Sequence, residues 1–590
     1  MKPTLQNLVS LLRIQMIVLL LAATGSIAPW KATAGSINEM TTVLPANFSP
    51  GHMLLLSDGR VMVQDSGGSN WCILSPDDQG HYIDGNWNTN CPPMHDTRLY
   101  GASDVLTDGR VFIAGAEYGT GGATAEVFNP QANGGIGFWT YVNPPASLLN
   151  PTELDWNSTG AFQAFLDSVS VVLPDGNVLI APVNPSYGGE TLIYNPFTNG
   201  WSAGGSVLSC SGNQDECNWV KLPDDSILTI DNCSDRATYA TSERYVPASN
   251  TWVPVENAAG YMWSSNWEIG AGFLLINGTV LFFGGNNETE IYTPSPLGGT
   301  NSGSWTPGPN MPSHSGQPLG MRDCPGCTLN NGKLLLSFNA NAPNGDQPSY
   351  LYEFDPGTRE FNLVFTNNTT ISDETSMLQL PDGNVLFSDT AHIYVYQPDP
   401  SPISAGQPSI QSVSWNTDGS LHLTGTLFNG ISQGAMYGDE YQQDSNYPLV
   451  RFTDGSGNVT YGRTYNWSSS SVQTGGKVVT TETTVPSAVL DFPGQWSLQV
   501  VANGNASLGV TFYSPVWVDF NLDSVIQIGW YSFPYYTLPQ GVSDIAGSYP
   551  GGTIAIRGDV QPSLGHETVP YTISTPMTII SVYGPSTIGN

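Results

Sequence analysis

Leu106-Thr107-Asp108-Gly109-Arg110-Val111-Phe112-Ile113-Ala114 is the stretch that decides the fold. Asp-Gly supplies the positive φ of a tight turn, and apolar residues on both sides supply the two strands of a hairpin. The phrase Leu, any residue, Asp or Asn, then usually Gly recurs at Leu56, Leu173, Leu222, Leu275, Leu329 and Leu380. Leu222-Pro223-Asp224-Asp225 is the one copy without the glycine. The leucine-to-leucine spacings are 50, 67, 49, 53, 54 and 51.

A repeat near 50 residues is the period of kelch propellers. A second phrase supports it, an aromatic two residues before a proline, as in Phe128-Asn129-Pro130, Tyr194-Asn195-Pro196, Tyr245-Val246-Pro247 and Tyr292-Thr293-Pro294. An aromatic then opens the next strand at Trp139, Trp201, Trp252, Trp305 and Phe361. Each repeat therefore reads as four short strands. One such blade cannot bury both faces alone, so the copies must stack in a ring. The expected fold is all-β: a seven-bladed kelch-type β-propeller over 35–405, with residues 36–46 completing the last blade. An immunoglobulin-like β-sandwich over 406–513 follows, because strands such as Ser420 to Thr426 alternate apolar and polar residues. The tail 514–590 resembles the opening coil of a parallel β-helix, with Gly551-Gly552-Thr553-Ile554 and Met577-Thr578-Ile579-Ile580 as its strands. It is expected to dock elsewhere on the protein or to be poorly ordered.

Composition excludes several functions. Of 590 residues only 11% are charged, and 49 acidic against 16 basic residues give a net charge of −33. Nucleic-acid binding needs basic clusters that displace counterions, and docking on anionic membranes needs them too. The N-terminus reads as a secretory signal over 1–34: Lys2 and Arg13, an apolar run from Met16 to Ala23, then Ala32-Thr33-Ala34. That run is too short to span a bilayer, so the expected product is secreted, with no membrane span.

Export permits disulfides. Cys72 with Cys91, Cys210 with Cys217 or Cys233, and Cys324 with Cys327 are the sequence-close pairs, and a total of seven leaves one thiol free or paired between chains. Cys324-Pro325-Gly326-Cys327 also has the form of a redox or zinc half-site, but no second CxxC accompanies it.

The segment from Arg98 to Gly122 resembles the second blade of galactose oxidase and glyoxal oxidase. Those copper radical oxidases share the layout of a propeller followed by an immunoglobulin-like domain, and the resemblance covers roughly residues 40–513. The family's copper site uses a cysteine cross-linked to a tyrosine, a tyrosine-histidine pair and a histidine from the C-terminal domain. Tyr100 matches the cross-linked tyrosine, and Tyr118 stands where galactose oxidase stacks a tryptophan over the cross-link. The cysteine segment reads Phe48-Ser49-Pro50-Gly51, the tyrosine-histidine position reads Asp373-Glu374-Thr375, and no histidine lies between 423 and 513. Without the thiol no thioether forms, and copper(II) loses its imidazoles. Copper radical oxidase activity is therefore not expected.

Six residues before each repeat leucine, on the innermost strand, stand Pro50, Tyr100, Asp167, Glu216, Ile269, Asp323 and Glu374, with Glu268 one residue off register. Four of the seven are carboxylates, far above the acidic share of the chain. Their plain reading is a solvated channel entrance. The functional reading is a ligand site built from Tyr100, Tyr118, Asp167, Glu216, Glu268, Asp323, Asp373 and Glu374, for a sugar's hydroxyls or for a calcium-like cation on Asp167, Glu216, Asp323 and Glu374. A weaker calcium candidate is Gly438-Asp439-Glu440 with Asp444 and Asn446, which also reads as a polar loop. The sequence thus points to an extracellular binding protein for a carbohydrate, such as a cell-surface glycan, or for a divalent cation. The alternative is a carbohydrate-active oxidoreductase or hydrolase that reuses the oxidase scaffold with carboxylates.

Overall fold

The computed structural model describes residues 35–149, 165–182, 189–209, 214, 217–231, 241–298, 300–399, 401–433, 445–522, 525–558, 566–567 and 571–588. Residues 1–34, read from the sequence as a secretory signal, lie outside these residues, as do Cys210, Cys233, Glu216 and residues 438–444.

Seven four-stranded antiparallel sheets follow one another from Ser36 to Gln397, an arrangement consistent with a propeller-like β fold. Their innermost strands are Pro50–Leu55, Ala102–Val105, Ser170–Val172, Trp219–Lys221, Ile269–Leu274, Gly326–Thr328 and Ser376–Gln379. Each ends at its repeat leucine, where the Asp-Gly turn begins. In the second sheet Gly109 has φ +81° and its N–H donates to Leu106 O at 2.8 Å. In the fourth, Asp225 takes φ +68° in place of glycine, a conformation Asp tolerates better than most residues. The first strand of the described chain, Ser36–Glu39, is the outer strand of the seventh sheet, with Ser36 opposite Gln397 and Glu39 opposite Tyr394. Both ends of the repeat array are thereby held in one sheet.

The repeated aromatics are cross-strand partners between the third and fourth strands. Phe128 faces Trp139, Tyr194 faces Trp201, Tyr245 faces Trp252, Tyr292 faces Trp305 and Phe354 faces Phe361. Their ring centroids lie 4.4–5.5 Å apart. Such pairs stabilise a sheet beyond the area they bury.

Residues 409–514 form a two-sheet sandwich. One sheet has Leu421–Thr426 and Val479–Thr483 at its centre, the other has Leu449–Thr453 and Gly494–Ala502. Leu423, Phe452, Leu498 and Phe512 fill the space between them. The loops of this sandwich reach the leucine end of every inner strand. Thr464 N–H donates to Ser57 O, Trp467 N–H to Thr107 O, Ser470 Oγ to Leu173 O, Gln473 Nε2 to Leu275 O and Ser445 Oγ to Gln379 O. Lys221 Nζ donates to Ser470 O at 3.0 Å, and Thr328 Oγ1 to Ser432 Oγ at 3.3 Å. The sandwich therefore covers one end of the inner strands, and the opposite end, six residues earlier, carries the candidate site.

The tail differs from the expected β-helix coil. Val516–Val518, Thr553–Arg557 and Thr578–Val582 form a parallel sheet, but the helix Leu538–Ser548 connects the first two strands. Leu538, Val542 and Ile545 cover one face of this sheet at Val516, Val518 and Ile554. Trp517, Ala555 and Val582 pack into the sandwich core from the other face. The tail is docked because neither face of a three-stranded sheet could stay exposed. Among the described residues no helix is long and apolar enough to cross a membrane.

Two of the expected disulfides are not formed. Cys72 and Cys91 are buried thiols, and burial pushes Cys72 up to about 11 and Cys91 up to about 12. Cys324 is also a buried thiol; its Sγ lies 2.9 Å from Arg322 O and 3.2 Å from Asn339 Nδ2. Cys324 packs with Met321 and Leu336, whereas Cys327 sits in a separate core with Leu335 and Met377. Sequence proximity brought the two cysteines near each other but into different cores. Cys217 is buried, and its expected partner Cys210 lies outside the described residues.

Candidate functional site

A cavity of about 320 Å³ opens where the first, second and seventh sheets meet. Ser49, Gly51, His52, Gln64 and Ser66 line it from the first sheet, Leu99 and Tyr100 from the second, and Asp373 to Ser376 with Thr390 from the seventh. The segments that the oxidase resemblance aligned with a copper site are thus brought together here, with different side chains.

Arg98–Leu99 and Tyr118–Gly119 pair as a short ladder at the open end of the hairpin Ala102–Ala114, with Leu99 facing Tyr118 and Arg98 facing Gly119; Tyr100 directly follows Leu99. The rings of Tyr100 and Tyr118 meet edge to face, 6.2 Å between centroids and 68° between planes. Tyr118 is exposed, with Tyr100 half-buried beside it. Arg98 fixes the base of this ladder. Its buried guanidinium donates to Gly115 O, Gly121 O and Thr124 O and to Oε1 of the fully buried Glu126 at 2.9 Å.

Across the cavity, Asp373 and Glu374 sit in the single turn Ser372–Glu374. Oδ2 of Asp373 accepts from Arg322 Nη2 at 2.8 Å. Arg322 Nε lies 3.5 Å from Glu268 Oε2, and that oxygen also accepts from Ser264 Oγ at 2.9 Å. One guanidinium therefore ties together loops of the fifth, sixth and seventh sheets. Burial raises the Asp373 carboxyl above the usual range while Arg322 pulls it back. Burial and the neighbouring Asp373 charge raise Glu374. His52 is buried with Nε2 2.9 Å from Ser103 Oγ and its ring edge-on to Trp71; burial pushes it well below its ordinary value and keeps it neutral.

The equal offset carried over in part. Tyr100, Asp373 and Glu374 line one cavity, Tyr118 abuts it and Glu268 reaches it through Arg322. Asp167 and Asp323 do not line it. Tyr100, Asp167 and Asp323 share a backbone feature, φ of +55°, +42° and +48°. Non-glycine residues in this region cost of order 1–3 kcal/mol each and cluster at functional sites. Among the described residues no three His, Cys, Asp or Glu side chains form a group able to hold a metal, so Asp167, Asp323 and Glu374 are not assembled into the calcium-like set. Sequence reasoning missed Arg322 and His52. Both had a signal: Arg322 adjoins Asp323 in a chain with few basic residues, and His52 lies two residues past Pro50, on the same face of its strand.

The donor set does not fit the oxidase copper. Ser49 and Gly51 stand where the thiol belongs; among the described residues no cysteine lines the cavity, and the one imidazole there is held by Ser103. Asp373 is committed to Arg322.

No family model matches the chain, and no curated protein matches it. Among solved structures it is distantly similar to a copper-bound fungal alcohol oxidase of the AA5 family, at 13% identity and TM-score 0.43, covering 82% of this chain and 99% of that one. It also matches a streptogramin B lyase (11%, TM-score 0.40, 62% and 98%) and the protein YjhT (12%, TM-score 0.35, 55% and 99%).

Proposed function

We propose that this chain is an extracellular saccharide-binding protein that uses the cavity beside Tyr100 and Glu374. In this reading the seven sheets are the blades of a kelch-type propeller, the sandwich is immunoglobulin-like, and residues 1–34 are a secretory signal. The observation that carries it is the juxtaposition across one cavity of an aromatic pair, Tyr100 and Tyr118, with two carboxylates and the amide of Gln64. A sugar ring has apolar C–H faces that pack on aromatic rings and a belt of hydroxyls that donate to carboxylates and amides. A volume near 320 Å³ is at the small end of ligand sites, suited to one or two rings. Binding, rather than turnover, is favoured because Asp373 is held in an ion pair and His52 is turned to Ser103, which leaves Glu374 as the one uncommitted acid of the cavity among the described residues.

The test is a screen of immobilised oligosaccharides, followed by titration calorimetry on the best of them. Tyr100→Ala should weaken binding about tenfold or more, the size of effect an aromatic anchor gives, without lowering the melting temperature by more than a few degrees. A protein that binds no saccharide in the screen, or a Tyr100→Ala variant that binds as well as wild type, would overturn the proposal.

A further inference from the structure

The charges around the cavity say more about its ligand, on the premise that the cavity binds a saccharide. Its charged lining residues are Asp373 and Glu374, both acidic, and among the described residues no Lys or Arg lines it. The guanidinium paired with Asp373, that of Arg322, cannot turn to a ligand anion. Its Nη2 is on Asp373, its Nη1 donates to Asn344 O at 3.3 Å, and its Nε faces Glu268. His52 adds no positive charge, because burial keeps it neutral.

The accessible acceptor capacity belongs to Glu374, with the Asp373 charge beside it. Arg322 occupies one oxygen of Asp373, and among the described residues no other residue donates to its buried Oδ1. Glu374 is exposed at the cavity rim, and no described residue donates to its side chain; its backbone N–H bonds Ile371 O. Both residues come from one turn and line the same cavity as Tyr100, so the Asp373 charge backs the exposed Glu374 carboxylate. A protonated amine on the ligand can give several N–H donors to that carboxylate. A neutral hydroxyl gives one, and a carboxylated or sulfated sugar meets like charge there. The chain's net charge of −33 adds a long-range field of the same sign.

We infer that the saccharide recognised by this cavity is an amino sugar with a free ammonium group, its ring against Tyr100 and its nitrogen at Glu374. Neutral sugars are then weaker ligands and acidic sugars are rejected.

The experiment compares four hexamers by titration calorimetry on the purified protein: glucosamine, N-acetylglucosamine, glucose and galacturonic acid, at a pH where the glucosamine amine is protonated. Glucosamine hexamer should bind about tenfold more tightly than the N-acetylated one, the worth of one charge-assisted hydrogen bond. Added salt should narrow that gap, and galacturonate should not bind. Glu374→Gln, which keeps the shape of an exposed side chain, should remove the preference while Tyr100→Ala weakens all binding. Equal affinity for the free and acetylated hexamers, or a preference that survives Glu374→Gln with the melting temperature unchanged, would overturn the inference and leave the saccharide site standing. Hexalysine binding as tightly as glucosamine hexamer, and unaffected by Tyr100→Ala, would overturn it in favour of a basic peptide. Failure of every hexamer to bind would remove the saccharide reading along with it.

Discussion

Nη2 of Arg98 lies 2.9 Å from Oε1 of Glu126, and both side chains are buried beneath the short ladder that pairs Leu99 with Tyr118, next to Tyr100. The other carboxylate oxygen, Oε2, is 2.6 Å from His95 Nδ1, and His95 stacks on Tyr141 at 4.4 Å. Arg98 also holds three backbone carbonyls of the 115–124 segment, so the pair joins the ladder to the body of the second sheet. Removing Glu126 takes from the buried Arg98 its 2.9 Å partner and leaves it only the longer contact to Asp96 at 3.6 Å. Glu126→Ala should therefore destabilise the protein by about 3–5 kcal/mol, read as a shift of the urea midpoint. A loss below about 1 kcal/mol, typical of a surface pair, would show that the pair does not anchor the ladder.

The second prediction concerns pH. Asp104 is fully buried on the inner strand of the second sheet, with Oδ2 accepting from Ser170 Oγ at 2.5 Å. Burial pushes its carboxyl up to about 7, with Ser170 and the Lys221 charge only partly opposing. An unfolded aspartate titrates near 3.9. Between those values the folded protein keeps a proton that the unfolded chain releases, so this group's contribution to stability is present below about pH 4 and falls as pH rises towards 7. Its slope is at most about 1.4 kcal/mol per pH unit. Asp104→Asn keeps the shape and removes the titration. The variant should gain stability relative to wild type on going from about pH 5 to about pH 7; an unchanged difference between the two in urea melts would contradict the burial argument.

Much of the fold was legible because its turns and cross-strand pairs repeat. The turn after each repeat leucine, Asp-Gly or Asn-Gly in all but one copy, needs a positive φ, and the aromatic two residues before proline finds its partner on the next strand; both are local chemistry. The site was legible only in part. An equal offset along seven strands fixes height, not side-chain direction. Asp373 and Glu374 sit in a helical turn, whereas Asp167 and Asp323 take a left-handed backbone, so side chains at one height are sent different ways. Arg322 stayed hidden because its role is to join three loops far apart in sequence. The Cys324–Cys327 pairing failed for a related reason, since separation along the chain says nothing about which core each thiol enters.

A third prediction follows from the cavity's donors. With Ser49 and Gly51 in place of a thiol and with His52 engaged by Ser103, protein incubated with copper(II) and oxygen should release no peroxide from galactose, glyoxal or simple alcohols. A peroxidase-coupled assay reads this directly. Turnover lost in Tyr100→Phe would reveal a copper site that these residues do not predict.

The most direct test of the account is a crystal structure of the protein soaked with glucosamine hexamer. The account predicts density for a sugar ring in the cavity between Tyr100 and the Asp373–Glu374 turn, with its nitrogen within hydrogen-bond distance of a carboxylate oxygen. Clear saccharide density elsewhere on the molecule, with this cavity holding only solvent, would contradict it.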